Sequence, residues 1–138
     1  MIHLINHPDA KVIEIRSNRK GFWMAFQKGW GISVHWDSGN YCDGSGRDAE
    51  IAVLKPGDRS AGRIGGGLLS MRRRYDEEGN LTSESKSIGL HDDVIGYRKD
   101  YEVLKAMQIV SEFESDLSDV DAIDMFVSRF YNDKEVTA

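Results

Sequence analysis

From Gly21 to Trp36 apolar and polar positions take turns along the chain. Phe22, Met24 and Phe26 alternate first, Gln27-Lys28-Gly29 interrupts, and Trp30, Ile32, Val34 and Trp36 resume the alternation. Gly31, Ser33 and His35 fall on the opposite parity. Side chains of an extended chain repeat every two residues, so the pattern predicts a half-buried β-hairpin closed by a short glycine-containing loop. Asp37-Ser38-Gly39-Asn40-Tyr41-Cys42 follows as a polar, turn-rich tip. Upstream, residues 1–10 read as a loose lead-in or a short edge strand. Val12–Arg16 reads as a short strand and Asn18–Gly21 as the turn into the hairpin. Downstream, Cys42–Arg47 is punctuated by glycines, Ser and Asp and reads as a loop. Ala49–Leu54 is almost continuously apolar, as expected of a strand central in a sheet, and Pro56-Gly57-Asp58 ends it in a turn.

The next stretch is poor in anything to bury. Residues 57–67 hold five glycines and predict a flexible loop, shaped by a ligand or partner if by anything. Leu68–Tyr75 is expected as a strand, residues 76–80 as a turn, and Asp93–Tyr97 as a last short strand, with His91-Asp92-Asp93 as the loop before it. The period then changes from two to 3.6. Tyr101, Leu104, Met107, Val110 and Phe113 predict one apolar face of a helix over Asp100–Glu114. Val120, Ile123, Phe126, Val127 and Phe130 predict a second helix over Val120–Tyr131, with Ser118 as its N-cap and Asp121 in the capping-box position. Residues 132–138 read as a frayed tail. Strands first and helices last predict an α+β fold: a single domain over residues 1–138, with an antiparallel β-sheet of about five or six strands and two C-terminal α-helices packed on one face.

A chain of 138 residues is long enough to bury a core without a disulfide or a metal. No apolar run approaches the ~20 residues of a membrane span, and the N-terminus lacks the basic segment of a secretory signal. The single cysteine, Cys42, excludes an internal disulfide framework and fits a reducing compartment. A soluble protein of the cytoplasm is therefore expected. The formal net charge of −5 argues against generic nucleic-acid binding, which depends on neutralising phosphates. That charge is unevenly spread. Six basic residues (Lys55, Arg59, Arg63, Arg72, Arg73, Arg74) stand against Asp58 between positions 55 and 74, and six acids with no base (Glu112, Glu114, Asp116, Asp119, Asp121, Asp124) lie between 112 and 124. Such runs are solvated faces, internal partners of one another, or contact surfaces.

Two places could carry chemistry. Gly62-Arg-Ile-Gly-Gly-Gly67, with Arg59, Arg63, Gly65, Gly66 and the Arg72, Arg73, Arg74 run, could cradle an anion. Glycines let backbone N–H groups approach a phosphate, and arginines clamp it. The run lacks the Lys-Ser/Thr ending of a P-loop and the spacing of a dinucleotide fingerprint, and a plain linker explains it equally well. The second place is the hairpin tip, with His35, Asp37, Asn40, Tyr41 and Cys42. A histidine near a cysteine can activate a thiol nucleophile, whereas a lone cysteine is commonly a small buried hydrophobe. His3, His7, His35 and His91 are scattered without metal-ligand spacing, so neither a metal nor a cofactor is expected.

The phrase Gly29-Trp-Gly-Ile-Ser-Val-His-Trp-Asp-Ser-Gly-Asn-Tyr-Cys42, then Ala49-Glu-Ile-Ala-Val53 and Val94-Ile-Gly-Tyr97 leading into a helix, resembles a family of small uncharacterised proteins encoded by tailed bacteriophages. The resemblance spans residues 20–113. The glycine- and arginine-rich segment 57–75 and the helix after Ser118 depart from it. It implies a phage origin, hence the cytoplasm of a host cell, and carries over no catalytic residue or ligand. The leading expectation is an accessory protein that acts by binding, antagonising a host protein or defence component through the 57–75 segment and the acidic helical end. The alternative is a nucleotide-type small-molecule binder using the same segment, and a third reading is a small hydrolase using His35 or Cys42. Self-association into a homo-oligomer is compatible with all three.

Overall fold

A computed structural model of the chain describes residues 4–37, 42–56, 78, 90–91 and 94–132. Six strands, β1 (Ala10–Ile15), β2 (Gly21–Phe26), β3 (Gly31–His35), β4 (Asp48–Leu54), β5 (Leu90–His91) and β6 (Val94–Lys99), precede two helices, α1 (Asp100–Ser111) and α2 (Asp119–Asn132). The strands form one sheet in the order β1-β2-β3-β4-β6-β5, with every neighbouring pair antiparallel. Both helices come from the C-terminal end, and α1 lies against β3, β4 and β6. The α+β architecture is the one the change of period predicts.

The central hairpin forms where the alternation places it. Phe22 lies opposite Val34 and Met24 opposite Ile32. All seven apolar positions of that parity, Phe22, Met24, Phe26, Trp30, Ile32, Val34 and Trp36, are buried in the core. The turn needs Gly29, whose φ of 108° is open to glycine at little cost. Across the next ladder Ile32 faces Val53 and Val34 faces Ile51, so β4 extends the same apolar layer and is central, as its composition indicates. Ala106, Met107, Val110, Phe113, Ile123 and Phe126 close the layer from the helical side.

Three local expectations change. The hairpin is not half-buried: Ser33 and His35 on β3 and Glu50 on β4 are buried as well. The second face of the sheet is therefore closed too, with Trp23 standing directly across from Ser33. In α1 the buried side is Val103, Ala106, Met107, Ile109 and Val110, whereas Tyr101 and Leu104 face outward. His91 belongs to β5, paired with Val94, rather than to a loop. Ser118 does cap α2, accepting from the Asp121 backbone N–H at 3.2 Å. The helix reaches Asn132, one residue into the segment read as tail. The loop 57–67, the strand 68–75 and the tail beyond 132 lie outside the described residues, and of the turn 76–80 only Glu78 is described, in a turn.

The acidic end is tied back into the fold through Glu112 and Glu114. Glu114 pairs with Lys28 at the hairpin turn, at 2.9 Å, and Glu112 pairs with Arg129 of α2, at 3.0 Å. Those contacts join the helical layer to the hairpin and α1 to α2, and they use part of the acidic run internally. Among the described residues, no helix is long and apolar enough to cross a membrane.

Candidate functional site

The second face of the sheet concentrates the polar chemistry. Ser33 and His35 stand two residues apart on β3 and therefore share that face. Antiparallel pairing places Glu50 of β4 directly opposite His35. The His35 ring reaches Ser33 Oγ through Nε2 at 3.1 Å and approaches Glu50 Oε1 through Nδ1 at 3.5 Å. Arg16, at the end of β1, crosses over β2 to join them, with Nη1 3.2 Å from Nδ1 and 3.0 Å from Nε2. It can do so because residue 21 is glycine: a Cβ there would come within 2.6 Å of Arg16 Cδ and 2.9 Å of His35 Cδ2. A neutral imidazole has one N–H and one lone pair. Nη1 is nearly equidistant from the two ring nitrogens, so the guanidinium lies over the ring face rather than on a lone pair. With the N–H on Nδ1 toward Glu50, the Nε2 lone pair accepts from the Ser33 hydroxyl.

Carboxylate, imidazole and hydroxyl thus lie in the order of a nucleophile-activating relay. Other features work against that use. His35 is only 7% exposed and Ser33 equally buried, so a substrate has no path to the hydroxyl among the described residues. The guanidinium of Arg16 lies over the ring that a general base would have to present to a substrate. β3 is flanked on both sides by hydrogen-bonded strands, so its N–H groups serve the ladders rather than an oxyanion. The cluster is chemically suited to holding β1, β3 and β4 together through one buried polar network.

The hairpin tip divides into separate contacts. Asp37 accepts from Asn18 Nδ2 at 2.9 Å, and the Cys42 thiol donates to the Asp37 carbonyl oxygen at 3.1 Å. Burial pushes the Cys42 thiol above the ordinary cysteine range, and the nearby carboxylates of Asp48, Glu50 and Asp37 push the same way against a Gly44 backbone hydrogen bond. A nucleophilic cysteine needs the opposite, an electropositive setting. His35 is engaged with Arg16, Ser33 and Glu50. In the following loop Asp43 accepts from the Ser45 hydroxyl at 2.7 Å and from the Ser45 N–H at 2.8 Å. Those bonds, with Arg47 nearby, hold its carboxyl below the usual range. Among the described residues, no group of three His, Cys, Asp or Glu could hold a metal ion. Asn40 and Tyr41 lie outside the described residues, as do Arg59, Arg63, Gly65, Gly66, Arg72, Arg73 and Arg74.

A different surface emerges at the β6–α1 junction. Tyr97 is 49% exposed, Tyr101 68% and Leu104 48%. Tyr101 and Leu104 are spaced as neighbours on one side of α1. Tyr97 adopts a φ of 57°, in the left-handed region that bulky side chains rarely enter. The junction is otherwise firmly built: Glu102 accepts from the Lys99 N–H and from Arg98 Nη1, each at 3.0 Å. The sequence reading missed Arg16, Ser33 and Glu50 as members of the His35 cluster. The shared parity of Ser33 and His35, and a lone acid in the apolar run Ala49–Leu54, were its available signals. Compared with protein-family models, with curated proteins and with solved structures, the chain matches none.

Proposed function

We propose that this chain acts by binding a protein partner rather than by catalysis. Its resemblance to phage proteins makes it a phage-encoded accessory protein whose partner is a host protein. The observation that carries the reading is the Tyr97, Tyr101 and Leu104 surface, which presents three large side chains to solvent within eight residues of chain. Tyrosines set among apolar neighbours are typical anchors of protein interfaces, because they bury large area at small entropic cost. The closed setting of His35 and the raised thiol of Cys42 favour binding over chemistry. The basic run at 55–74, read from the sequence, is suited to steering an acidic partner rather than anchoring it.

Capture from host-cell extract with the wild-type chain, with Tyr101→Glu/Leu104→Glu and with Arg72→Glu/Arg74→Glu tests this. The wild type is expected to retain a stoichiometric host protein. The α1 pair is expected to lose it while keeping a native circular dichroism spectrum. Undiminished capture by the α1 pair would remove this surface from the reading, and loss only in the arginine pair would move the contact to the basic run. A phosphorylated small molecule retained in native mass spectrometry, with no protein, would replace the reading by the nucleotide-type binder.

A further inference from the structure

β1 stands first in the strand order, and among the described residues it is hydrogen-bonded to β2 alone. The register shows which of its backbone groups that pairing uses. Arg16 N–H donates to Gly21 O at 2.9 Å, so these two residues form a hydrogen-bonded pair. In an antiparallel ladder such pairs recur at every second residue. Glu14 with Trp23 and Val12 with Ala25 therefore supply the other inner bonds. The N–H and C=O groups of Ile13 and Ile15 point the opposite way, along the outer edge. Their side chains stand across from Met24 and Phe22 on the core face. Ile13 packs against the core, and Ile15 is 54% exposed. Outward donors and acceptors beside an apolar strip are the template on which an added strand builds.

Length and charge then select the occupant. The ladder is irregular between Ala10 and Val12, and the chain turns away after Arg16, with Arg19 at a φ of 61°. A bulge interrupts pairing, so the edge offers only Val12–Arg16 and takes a short segment. Lys11, Arg16, Arg19 and Lys20 stand against Glu14 in this part of the chain, all of them exposed. Arg16 lies over the His35 ring. Lys11 is left beyond one end of the edge, Arg19 and Lys20 beyond the other, and Glu14 in the middle on the face away from the isoleucines. A second copy fits this pattern poorly. Exchange of bonds between Ile13 and the copy's Ile15 sets Glu14 directly against its own counterpart, and like charges so placed are destabilising. Exchange between Ile13 and its own counterpart needs Lys11, in the bulge, for the next bonded pair.

We infer that the outer edge of β1 accepts an extended acidic segment of a partner protein as an added antiparallel strand. Apolar side chains of that segment lie beside Ile13 and Ile15, and an uncharged one lies across from Glu14. Acids at its two ends reach Lys11 and the Arg19-Lys20 turn. The backbone supplies the bonds and the flanking charges supply the selection. This edge is separate from the surface of Tyr97, Tyr101 and Leu104 and does not rest on it.

The test is NMR on the full ¹⁵N-labelled chain. The probes are the end-capped peptide Asp-Glu-Val-Thr-Val-Glu-Asp and a counterpart whose four acids are lysines. Without peptide, the Ile13 and Ile15 amides are expected to exchange near the unprotected rate, while those of Glu14 and Arg16 are slowed. The acidic peptide should move and protect both isoleucine amides and leave Leu104 unmoved. The lysine peptide should bind roughly tenfold more weakly, and Lys11→Glu/Lys20→Glu should reverse that preference. Ile13→Pro removes an outward N–H that the β1–β2 ladder does not use, and should weaken the acidic peptide by roughly tenfold. Ile13 and Ile15 amides already protected without peptide overturn the proposal, because the edge is then taken. An acidic peptide that moves neither amide overturns it too, as does equal binding of the two peptides. Protection that grows with protein concentration alone would assign the edge to a second copy. A single-stranded oligonucleotide that moves the same amides more strongly than the acidic peptide would assign it to nucleic acid. If Ile13→Pro does not fold, the charge-reversed pair decides, and a preference left unreversed refutes the proposal.

Discussion

Two contacts join the hairpin turn to the connection between the helices, and they differ enough in kind that one should dominate. Trp30 is fully buried, packs edge-on against Phe113 at 5.5 Å between ring centroids, and donates from Nε1 to the Glu114 carbonyl oxygen at 2.8 Å. Lys28 pairs with the Glu114 carboxylate at 2.9 Å, with side chains 45% and 67% exposed. Removing a buried indole loses its transfer free energy, its ring contacts and the space it filled, about 3–5 kcal/mol for Trp→Ala. An exposed ion pair contributes about 0–1 kcal/mol, and less in salt. Trp30→Phe keeps the contact with Phe113 but loses the hydrogen bond and part of the volume, for roughly 1–3 kcal/mol.

Urea unfolding followed by circular dichroism gives the three values directly. The expected order of loss is Trp30→Ala, then Trp30→Phe, then Lys28→Ala. At about 2–4 °C per kcal/mol for a chain near this size, Trp30→Ala should lower the melting temperature by roughly 6–20 °C and Lys28→Ala by a few degrees at most. Against a total stability of about 5–15 kcal/mol the first change is a large share. A Trp30→Ala loss below about 1.5 kcal/mol, or a Lys28→Ala loss matching it, would mean that the helical layer is not held through the indole. The packing account given above would then fail.

Cys42 should alkylate with iodoacetamide more slowly than a small free thiol at the same neutral pH, because burial and the surrounding carboxylates hold it protonated. A rate equal to or above the free thiol's would contradict that setting. The same raised value makes its contribution to stability fully present below the thiol's unfolded pKa and lost as pH rises through the folded one, so Cys42→Ala should flatten the alkaline limb of a stability profile. Asp43 has the opposite sign: depressed by the Ser45 hydroxyl and N–H, it favours the fold above the unfolded carboxyl pKa and loses that contribution as pH falls through its folded value. Ser45→Ala should move the Asp43 carboxyl titration upward by NMR, and an unmoved titration would assign the shift elsewhere.

How far the sequence could be read depended on how many residues each feature needed at once. The hairpin was legible because every apolar side chain on one parity agrees, and a strand has only two sides. The helix over 100–111 was legible as a helix but not in its orientation. Seven of the ten residues from Tyr101 to Val110 are apolar, so several stripes fit, and contact with β3, β4 and β6 selects the one through Val103, Ala106 and Val110. The His35 cluster needed two registers together. Only the β3–β4 pairing sets Glu50 against His35, and only the tight β1–β2 turn with Gly21 beneath it brings Arg16 across. Those partners lie 15 and 19 positions from His35 along the chain, beyond the reach of any local pattern.

The outward pair on α1 and the backbone of Tyr97 bear on one question, whether the β6–α1 junction is built for packing alone. A helix on a sheet needs one apolar stripe, and α1 already has it. Tyr101 and Leu104 add nothing to that stripe, and large side chains left in water give back the transfer free energy that burial would supply. Tyr97 goes further, holding a left-handed φ of 57° at a cost of about 1–3 kcal/mol that glycine at this position would avoid. Gly96, immediately before it, shows that glycine is at hand in this segment. Core packing does not account for the outward pair on α1, since the residues that fill the core at this end are Ile95, Val103 and Met107. Under the proposed function the outward pair on α1 has a use, as anchors for a partner, whereas the backbone of Tyr97 has one inside the fold: β6 slips register against β4 here, with Gly96 and Tyr97 together facing Glu50 alone. Tyr97→Gly should therefore stabilise the isolated domain or leave it unchanged while weakening partner capture. A loss of stability would return the residue to the fold.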